Sequence, residues 1–406
     1  MNIIVDNSDL YDSYQAGIYI ARLGILNGLI NNRKADEKIA FYSRRHPLSA
    51  RRPSPEIPAG DYQEIFSYKR QCSNIVDVLG GIKEDIRQLK TDAKILKNNG
   101  CDIFFMSEKI WPNVSGSKFF AYIHDLTPIQ FPHLHPKRHC LLFKWRMNYL
   151  KDKCEHVFVN SDTTRKVVKD ILRFPDEKIW TVYLSADKCF SPADKLYSKK
   201  LISEIYSLPD RPMILSVSTL EPRKNIKNIV EAFKLLVKEG RWDEKNKPIL
   251  VLVGSDGWHK DNFYSYLYAE CLKGDIFKVG EVTRKMLVHF YRACEFSVYI
   301  PFFEGFGLPP LEAMATAKPV IASNISAIRE VIGDFVYLVE PDSIAEIKKA
   351  MQRLLGNKDL SGELAVKGLR RASQFSWDKA GKRILDIFRW SLGQGEHPSQ
   401  REVLGT

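Results

Sequence analysis

The segment Glu304-Gly305-Phe306-Gly307-Leu308-Pro309-Pro310-Leu311-Glu312 sets one carboxylate before a glycine-rich turn and a second inside a short helix. Glycine lets a ligand come close to the backbone and tolerates positive φ. The N-terminus of a helix adds unsatisfied N–H groups and a partial positive charge, a setting suited to phosphate. Pro309 and Pro310 carry no N–H, so the donors would come from Gly305, Phe306, Gly307, Leu308 and Leu311. Carboxylates are poor partners for phosphate and good acceptors for sugar hydroxyls, so this spacing suits a diphosphate flanked by sugars, a nucleotide sugar. The plainer alternative is a solvated loop acid followed by a first-turn glutamate favoured by the helix dipole. Leu308, Leu311 and Met314 argue for a partly buried turn, where an unpaired carboxylate is costly and a ligand hydroxyl would relieve the cost.

A second cluster, Ser218-Thr219-Leu220-Glu221-Pro222-Arg223-Lys224-Asn225, follows the apolar run Met213–Val217. Open α/β sheets bind ligands at the carboxyl ends of such strands. Asn225 is expected to N-cap the next helix, which sets Arg223 and Lys224 beside a positive helix end. Two cations and a dipole offset most of the charge of a diphosphate, and no Asp-x-Asp motif for metal-bridged phosphate occurs, so no metal is required. The competing reading is a surface Arg-Lys pair bridged to Glu221. His124-Asp125 follows the strand pattern Phe119–Ile123. The imidazole there can donate to a sugar hydroxyl or position a reacting group, whereas Asp125 has the plain alternative of capping the turn through Thr127-Pro128. His133, His135 and His139 lie among prolines without a thiolate or carboxylate beside them, a poor pattern for metal. The Gly-x-Gly of Gly305 and Gly307 lacks the third glycine of a dinucleotide fingerprint, and neither a Walker sequence nor a Gly-x-Ser-x-Gly elbow is present.

These clusters need strands that end together and helices that start there. Short apolar runs alternate with helical patterns along the whole chain, so the fold class is α/β with two Rossmann-like doubly wound domains facing each other across a cleft. At 406 residues the chain exceeds one ordinary core. The expected division is 1–200, 201–380, and a C-terminal helix in 381–406 that returns to the N-terminal domain and ends in a loose tail. Gly17 opens a helical pattern (Ile18, Ile20, Leu23, Ile25, Leu26, Leu29) whose N-terminus can face a ligand.

The formal net charge of +12 implies an anionic partner, and no basic tract resembles a nucleic-acid motif. Lys137, Arg138, Lys144, Arg146, Lys151 and Lys153 surround Leu141, Leu142, Phe143, Trp145 and Tyr149, the pattern of a basic amphipathic helix able to rest on an anionic membrane surface. A structural helix with a solvated basic face is the alternative. The start at Met1–Asp6 reads as a strand and not as a signal peptide, and no apolar run approaches a membrane span. Seven scattered cysteines without a C-x-x-C pair fit the reducing cytoplasm.

Taken together, Gly17, His124-Asp125-Leu126, Asn160-Ser161, Glu221 to Asn225, the Glu304/Glu312 loop and Ser323 to Asp334 resemble the retaining nucleotide-sugar glycosyltransferases of GT-B fold, family four, and within it the bacterial mannosyltransferases with a Glu-Pro-Arg-Lys-Asn motif. The resemblance implies that Arg223 and Lys224 hold the donor diphosphate and that Glu304 contacts hydroxyls of the transferred sugar. It further implies that the amides of Gly305, Phe306, Gly307 and Leu308 bind diphosphate and sugar, that Glu312 takes the ribose, and that Val282 lies near the base. His124 would reach the sugar, and Gly17 would line the acceptor side. At Gly17 the sequence departs from the family's Gly-Gly pair, with Ala16 before it. The expected activity is metal-independent, cofactor-free, retaining hexosyl transfer, with mannose from GDP-mannose going to a saccharide or polyprenyl-linked oligosaccharide in surface polysaccharide synthesis. A phosphorylase or nucleotide-sugar hydrolase on the same fold, and a non-catalytic sugar-nucleotide-binding scaffold, are the alternatives.

Overall fold

Met213–Val217 and Ile249–Val253 are buried at every position, as expected of parallel strands covered on both faces. In the computed structural model, which describes residues 1–6, 17–45, 63–68, 89–106, 114–257 and 262–402, these strands lie in the second of two parallel sheets. The first sheet holds β1 (Asn2–Asp6), β2 (Lys38–Arg45), β3 (Gln63–Tyr68), β4 (Ile103–Met106), β5 (Lys118–Ile123), β6 (His156–Val159) and β7 (Ile179–Thr181), in the order β3-β2-β1-β4-β5-β6-β7. The second holds β8 (Met213–Val217), β9 (Ile249–Val253), β10 (Ile276–Gly280), β11 (Phe296–Tyr299), β12 (Val320–Ser323) and β13 (Tyr337–Val339), in the order β10-β9-β8-β11-β12-β13. Both are doubly wound: the chain works outward from the first strand, then returns and extends the other edge. The order reverses between β1 and β4 in one sheet and between β8 and β11 in the other, and ligands of open α/β sheets bind at such switch points.

The chain divides into one unit of residues 1–184 with 376–406 and a second of residues 185–375. These limits fall short of the expected 200/201 and 380/381. The helix Lys195–Tyr206 belongs with the second sheet: Ser198 Oγ lies 3.1 Å from His289 Nδ1 and Lys195 Nζ 2.6 Å from Glu295 Oε1. At the other limit Ser376 caps the helix Trp377–Ser391, accepting from Asp378 N.

In the first unit that terminal helix lies on the helix Gly17–Asn32 at very close range. A Cβ placed on Gly28 would fall 2.0 Å from the carbonyl oxygen of Trp377, and one on Gly381 2.0 Å from the carbonyl carbon of Gly28. Phe388 fills the sheet face, with its ring 4.7 Å from Phe120 and 5.6 Å from Phe105. The terminus expected to be loose is bonded through Glu402: Thr181 N donates to Gln400 O, Tyr183 N to the Glu402 carboxylate, and Arg383 to Thr181 O and Ser399 O. Its polar composition concealed partners that are backbone groups, which carry no sequence signature.

In the second unit the helices Ile226–Glu239 and Ile344–Gly356 seal one face of the sheet, bringing Ile229, Val230, Phe233, Ile347 and Met351 against Ile214, Leu250, Val298 and Ile321.

Candidate functional site

In the second unit the segments leaving the strands are tied to one another by their main chains. Gly254 N donates to Gly280 O at 2.8 Å, Leu220 N to Ser255 O at 2.9 Å, and Phe302 N to Arg223 O at 2.9 Å. Ser323 Oγ donates to Pro301 O at 2.7 Å, fastening the end of β12 to the loop after β11. The loops after β8 and β11, on either side of the switch point, therefore form one frame.

That frame carries both sequence clusters. Lys224 Nζ is 2.5 Å from Glu304 Oε2, and Arg223 Nη1 is 3.3 Å from the same oxygen. Arg223 Nε also lies 2.6 Å from the buried carboxylate of Glu221. Tyr299, the last residue of β11, donates its hydroxyl to Glu304 Oε2 at 2.5 Å and accepts from Lys224 Nζ at 2.8 Å. Lys224 is 10% exposed and Glu304 13%, so these charges face one another with little water between them. Burial pushes the Glu304 carboxyl up, but Lys224 and Arg223, with hydrogen bonds from Lys224 and Tyr299, outweigh it and hold the group at about 2. Glu304 is thus fully ionised at neutral pH and ready to accept from hydroxyls. The bridge from Arg223 to Glu221 does form, and Glu304 and Lys224 join it in one buried network.

Asn225 does not N-cap through its side chain. It sits in the left-handed region (φ 57°), and its Nδ2 donates to Pro341 O at 2.7 Å. The αL turn made by Asn225 ends the short 3₁₀ segment Pro222–Lys224 and starts the helix, and it is this turn that sends Arg223 and Lys224 toward Glu304. Asparagine tolerates αL, which a β-branched residue would not.

Of the two loop glycines, Gly307 is left-handed (φ 92°) and immediately precedes the helix Leu308–Ala315. A Cβ there would also meet Ile328 Cδ1 at 2.7 Å. Phe306 is buried and packs edge-on against Phe375 at 5.9 Å, so its side chain anchors the turn and leaves only its backbone for a ligand. Leu308 is buried at the helix start. Gly305 leads directly out of Glu304 into this anchored turn.

Glu312 is 5% exposed. Tyr291 Oη is 3.2 Å from its Oε2 and Arg284 Nη1 3.9 Å from its Oε1. Burial lifts this carboxyl to about 7, against the pull of Arg284 and Tyr291. The two glutamates of one motif therefore sit in opposite electrostatic settings. Val282 follows β10 and the left-handed Gly280, just before Thr283, whose hydroxyl caps the helix Arg284–Ala293.

In the first unit, His124 leaves β5 and is 7% exposed. Its ring lies 4.9 Å from that of Tyr122, and its carbonyl accepts from Asn160 Nδ2 at 2.9 Å. Burial and the nearby Arg22 bring its pKa down to about 3, so the imidazole is neutral and retains one N–H donor. Asp6, Arg22, Tyr122 and His124 line a small recess at the strand ends. Asp125 takes its plain role: Oδ1 accepts from Thr127 N at 2.9 Å and Thr127 Oγ1 at 2.7 Å. Gly17 is the first residue of its helix, with open space where a Cβ would stand. His135 stacks with His139, and His139 packs on Phe143. Among the described residues no three His, Cys, Asp or Glu side chains converge as metal ligands, and no helix is long and apolar enough to cross a membrane.

Sequence reasoning missed Tyr299, Tyr291 and Arg284 as neighbours of the two glutamates. The signal for Tyr299 was its position as the last residue of the strand that leads into the Glu304 loop.

Residues 198–370 match the family described as Glycosyl transferases group 1. O-antigen chain mannosyltransferase B of Escherichia coli is 28% identical over 66% of this chain and 68% of its own length. The serotype-specific mannosyltransferase WbdA of Escherichia coli is 27% identical over 67% of this chain, which spans only 33% of that longer protein. Sucrose-phosphate synthase from Thermosynechococcus elongatus superposes with a TM-score of 0.70 over 97% of this chain and 99% of that one at 18% identity, a likeness of fold. Residues 198–370 therefore belong to the group 1 glycosyl transferases, within a chain that has the GT-B fold.

Proposed function

We propose that the protein is a retaining mannosyltransferase that uses GDP-mannose and extends a saccharide or lipid-linked oligosaccharide of a surface polysaccharide. The observation that carries this reading is the buried meeting of Arg223, Lys224, Tyr299 and Glu304 at the switch point of the second sheet. The relatives named as O-antigen mannosyltransferases support the choice of sugar and pathway class.

In this reading Arg223 and Lys224 turn from Glu304 to the donor diphosphate, while Glu304, kept ionised, accepts from hydroxyls of the transferred sugar. The amides of Gly305, Phe306, Gly307 and Leu308 complete the diphosphate and sugar contacts, Glu312 takes the ribose, and Val282 lies beside the base. His124 donates to the sugar, and Gly17 leaves room on the acceptor side. The bond from sugar C1 to the diphosphate oxygen breaks with its electron pair going to that oxygen. The acceptor hydroxyl adds to C1 on the same face, and its proton passes to the departing diphosphate. The cations and amides stabilise the charge that develops there, so no divalent ion or cofactor is needed.

The same reading places the enzyme in the cytoplasm, resting on the inner membrane surface through the helix Lys137–Lys153. Lys137, Leu141, Lys144, Asn148 and Lys151 form an exposed row along that helix, with Leu141 59% exposed. This face matches an anionic surface.

The test is product analysis by proton NMR after incubation with GDP-mannose, with and without an oligomannose acceptor. An α-linked product formed only with acceptor supports the proposal. Free mannose formed at the same rate in both would identify a hydrolase, sugar phosphate formed only with added phosphate a phosphorylase, and no turnover over an acceptor library a binding scaffold.

A further inference from the structure

We propose that Phe302 forms a subsite for the acceptor saccharide, its phenyl ring taking the C–H face of a pyranose. The inference rests on the reading above that the protein transfers a hexose with retention, and it adds an acceptor contact on the second unit.

Phe302 stands on the loop after β11, two residues before Glu304. Ile300 and Pro301 ahead of it are buried, yet Phe302 is 38% exposed. The other large apolar side chains exposed in the described part of this unit, such as Leu196, Tyr268 and Val366, lie on helices or at a helix end. Among the described residues, Phe302 is the one that stands on a loop leaving the sheet. Its main chain is held from three directions. Phe302 N donates to Arg223 O at 2.9 Å, Pro301 O accepts from Ser323 Oγ at 2.7 Å, and Phe303 O accepts from Arg223 Nη1 at 3.5 Å. A ring on so fixed a backbone has only its two side-chain torsions to lose on binding, which keeps the entropic cost of a contact low. The result is a preset apolar face beside the buried charges of Arg223, Lys224 and Glu304.

A pyranose carries hydroxyls around its rim and C–H groups on its faces. The slightly positive C–H groups suit the negative face of an aromatic ring, and a sugar laid on that face keeps its rim free for hydrogen bonds. The transferred sugar already has Glu304 and the amides of Gly305, Phe306, Gly307 and Leu308 in this reading. Addition on the face from which the diphosphate departs brings the acceptor in on the diphosphate side of C1, the side of Arg223 and Lys224. Phe302 is bonded to the main chain of Arg223 and so adjoins that side. The base, the other flat group of the reaction, is joined to the ribose assigned to Glu312, whose neighbours are Tyr291 and Arg284 and not this loop.

The experiment is initial-rate kinetics with GDP-mannose and an oligomannose acceptor for wild type, Phe302→Ala, Phe302→Leu and Phe302→Tyr, with GDP affinity measured by calorimetry and folding by thermal melting. Phe302→Ala should raise KM for the acceptor roughly five- to thirtyfold, the scale of losing an aromatic face, with the loss falling on KM and not on kcat or GDP affinity. Phe302→Tyr, which keeps the ring, should keep the KM of wild type. Should Phe302→Ala not fold, Phe302→Leu decides the matter: it fills most of the same space without an aromatic face, and it too should raise KM. A wild-type KM in the alanine or leucine variant overturns the proposal, as does a KM in Phe302→Tyr raised as far as in Phe302→Ala. Equal weakening of GDP would assign the ring to the donor and overturns it as well. Each of these leaves the transferase reading standing, whereas wild-type protein that glycosylates no acceptor defeats that reading and this inference with it.

Discussion

Replacing Glu312 with glutamine keeps the shape of the side chain and removes its titration. In the folded protein burial holds the Glu312 carboxyl at about 7, against 4.5 for an ordinary glutamate. Between those values the unfolded chain has released its proton and the folded one has not, so stability falls as pH rises. Below 4.5 both states are protonated and the full stability is present; above about 7 both are ionised and the loss is complete. At about 1.36 kcal/mol per pH unit, that interval corresponds to a loss of about 3 kcal/mol. The side chain is only 7% exposed, so solvent screening does not cancel it. Urea melts of wild type and Glu312→Gln at pH 5 and pH 8 measure the difference directly. The variant should gain on wild type by about 3 kcal/mol between the two conditions, and at pH 8 it should be the more stable protein. Donor affinity should move the other way: ribose hydroxyls donating to an ionised Glu312 make wild-type binding tighten as pH rises through about 7, a trend the variant lacks. Parallel stability profiles for the two proteins would refute the reasoning, because they would mean that Glu312 ionises in the fold as easily as in water.

Tyr299→Phe removes one hydroxyl shared by Lys224 and Glu304. Initial rates should show kcat falling roughly ten- to hundredfold, the scale of a hydrogen bond to a charged group, and unchanged kinetics would separate Tyr299 from the chemistry. Gly28→Ala should destabilise the protein by about 1–3 kcal/mol in denaturant melts despite the better helix propensity of alanine, because the new methyl overlaps the Trp377 carbonyl; an unchanged midpoint would show that the two helices can part at no cost. Leu141→Glu with Lys144→Glu should release the protein from phosphatidylglycerol vesicles in sedimentation while leaving it folded, and wild-type protein that does not sediment with such vesicles at low salt would contradict the membrane assignment.

The α/β class and the two sheets were readable because wholly apolar runs such as Ile249–Val253 suit only strands covered on both faces. Both charged clusters were readable because each directly follows such a strand. The αL turn at Asn225 was not, since an asparagine before a helix looks like an N-cap whether its side chain or its backbone conformation does the work. The opposite settings of Glu304 and Glu312 were also hidden, because they depend on Lys224 and Arg284, 80 and 28 positions away in the sequence. The limit between the units shifted because the helix Lys195–Tyr206 is anchored by His289 and Glu295, partners about 90 to 100 positions away that the local sequence does not announce.

The central claim is that protein cations, without a metal, balance the diphosphate of the donor. Calorimetric titration of GDP in buffer containing EDTA, into wild type, Arg223→Ala and Lys224→Ala, tests it most directly. Wild type should bind without any divalent ion, and each variant should bind roughly tenfold or more weakly, as expected from loss of a charge-assisted contact. Wild-type binding that appears only when magnesium is restored, or variants that bind GDP as wild type does, would contradict the account.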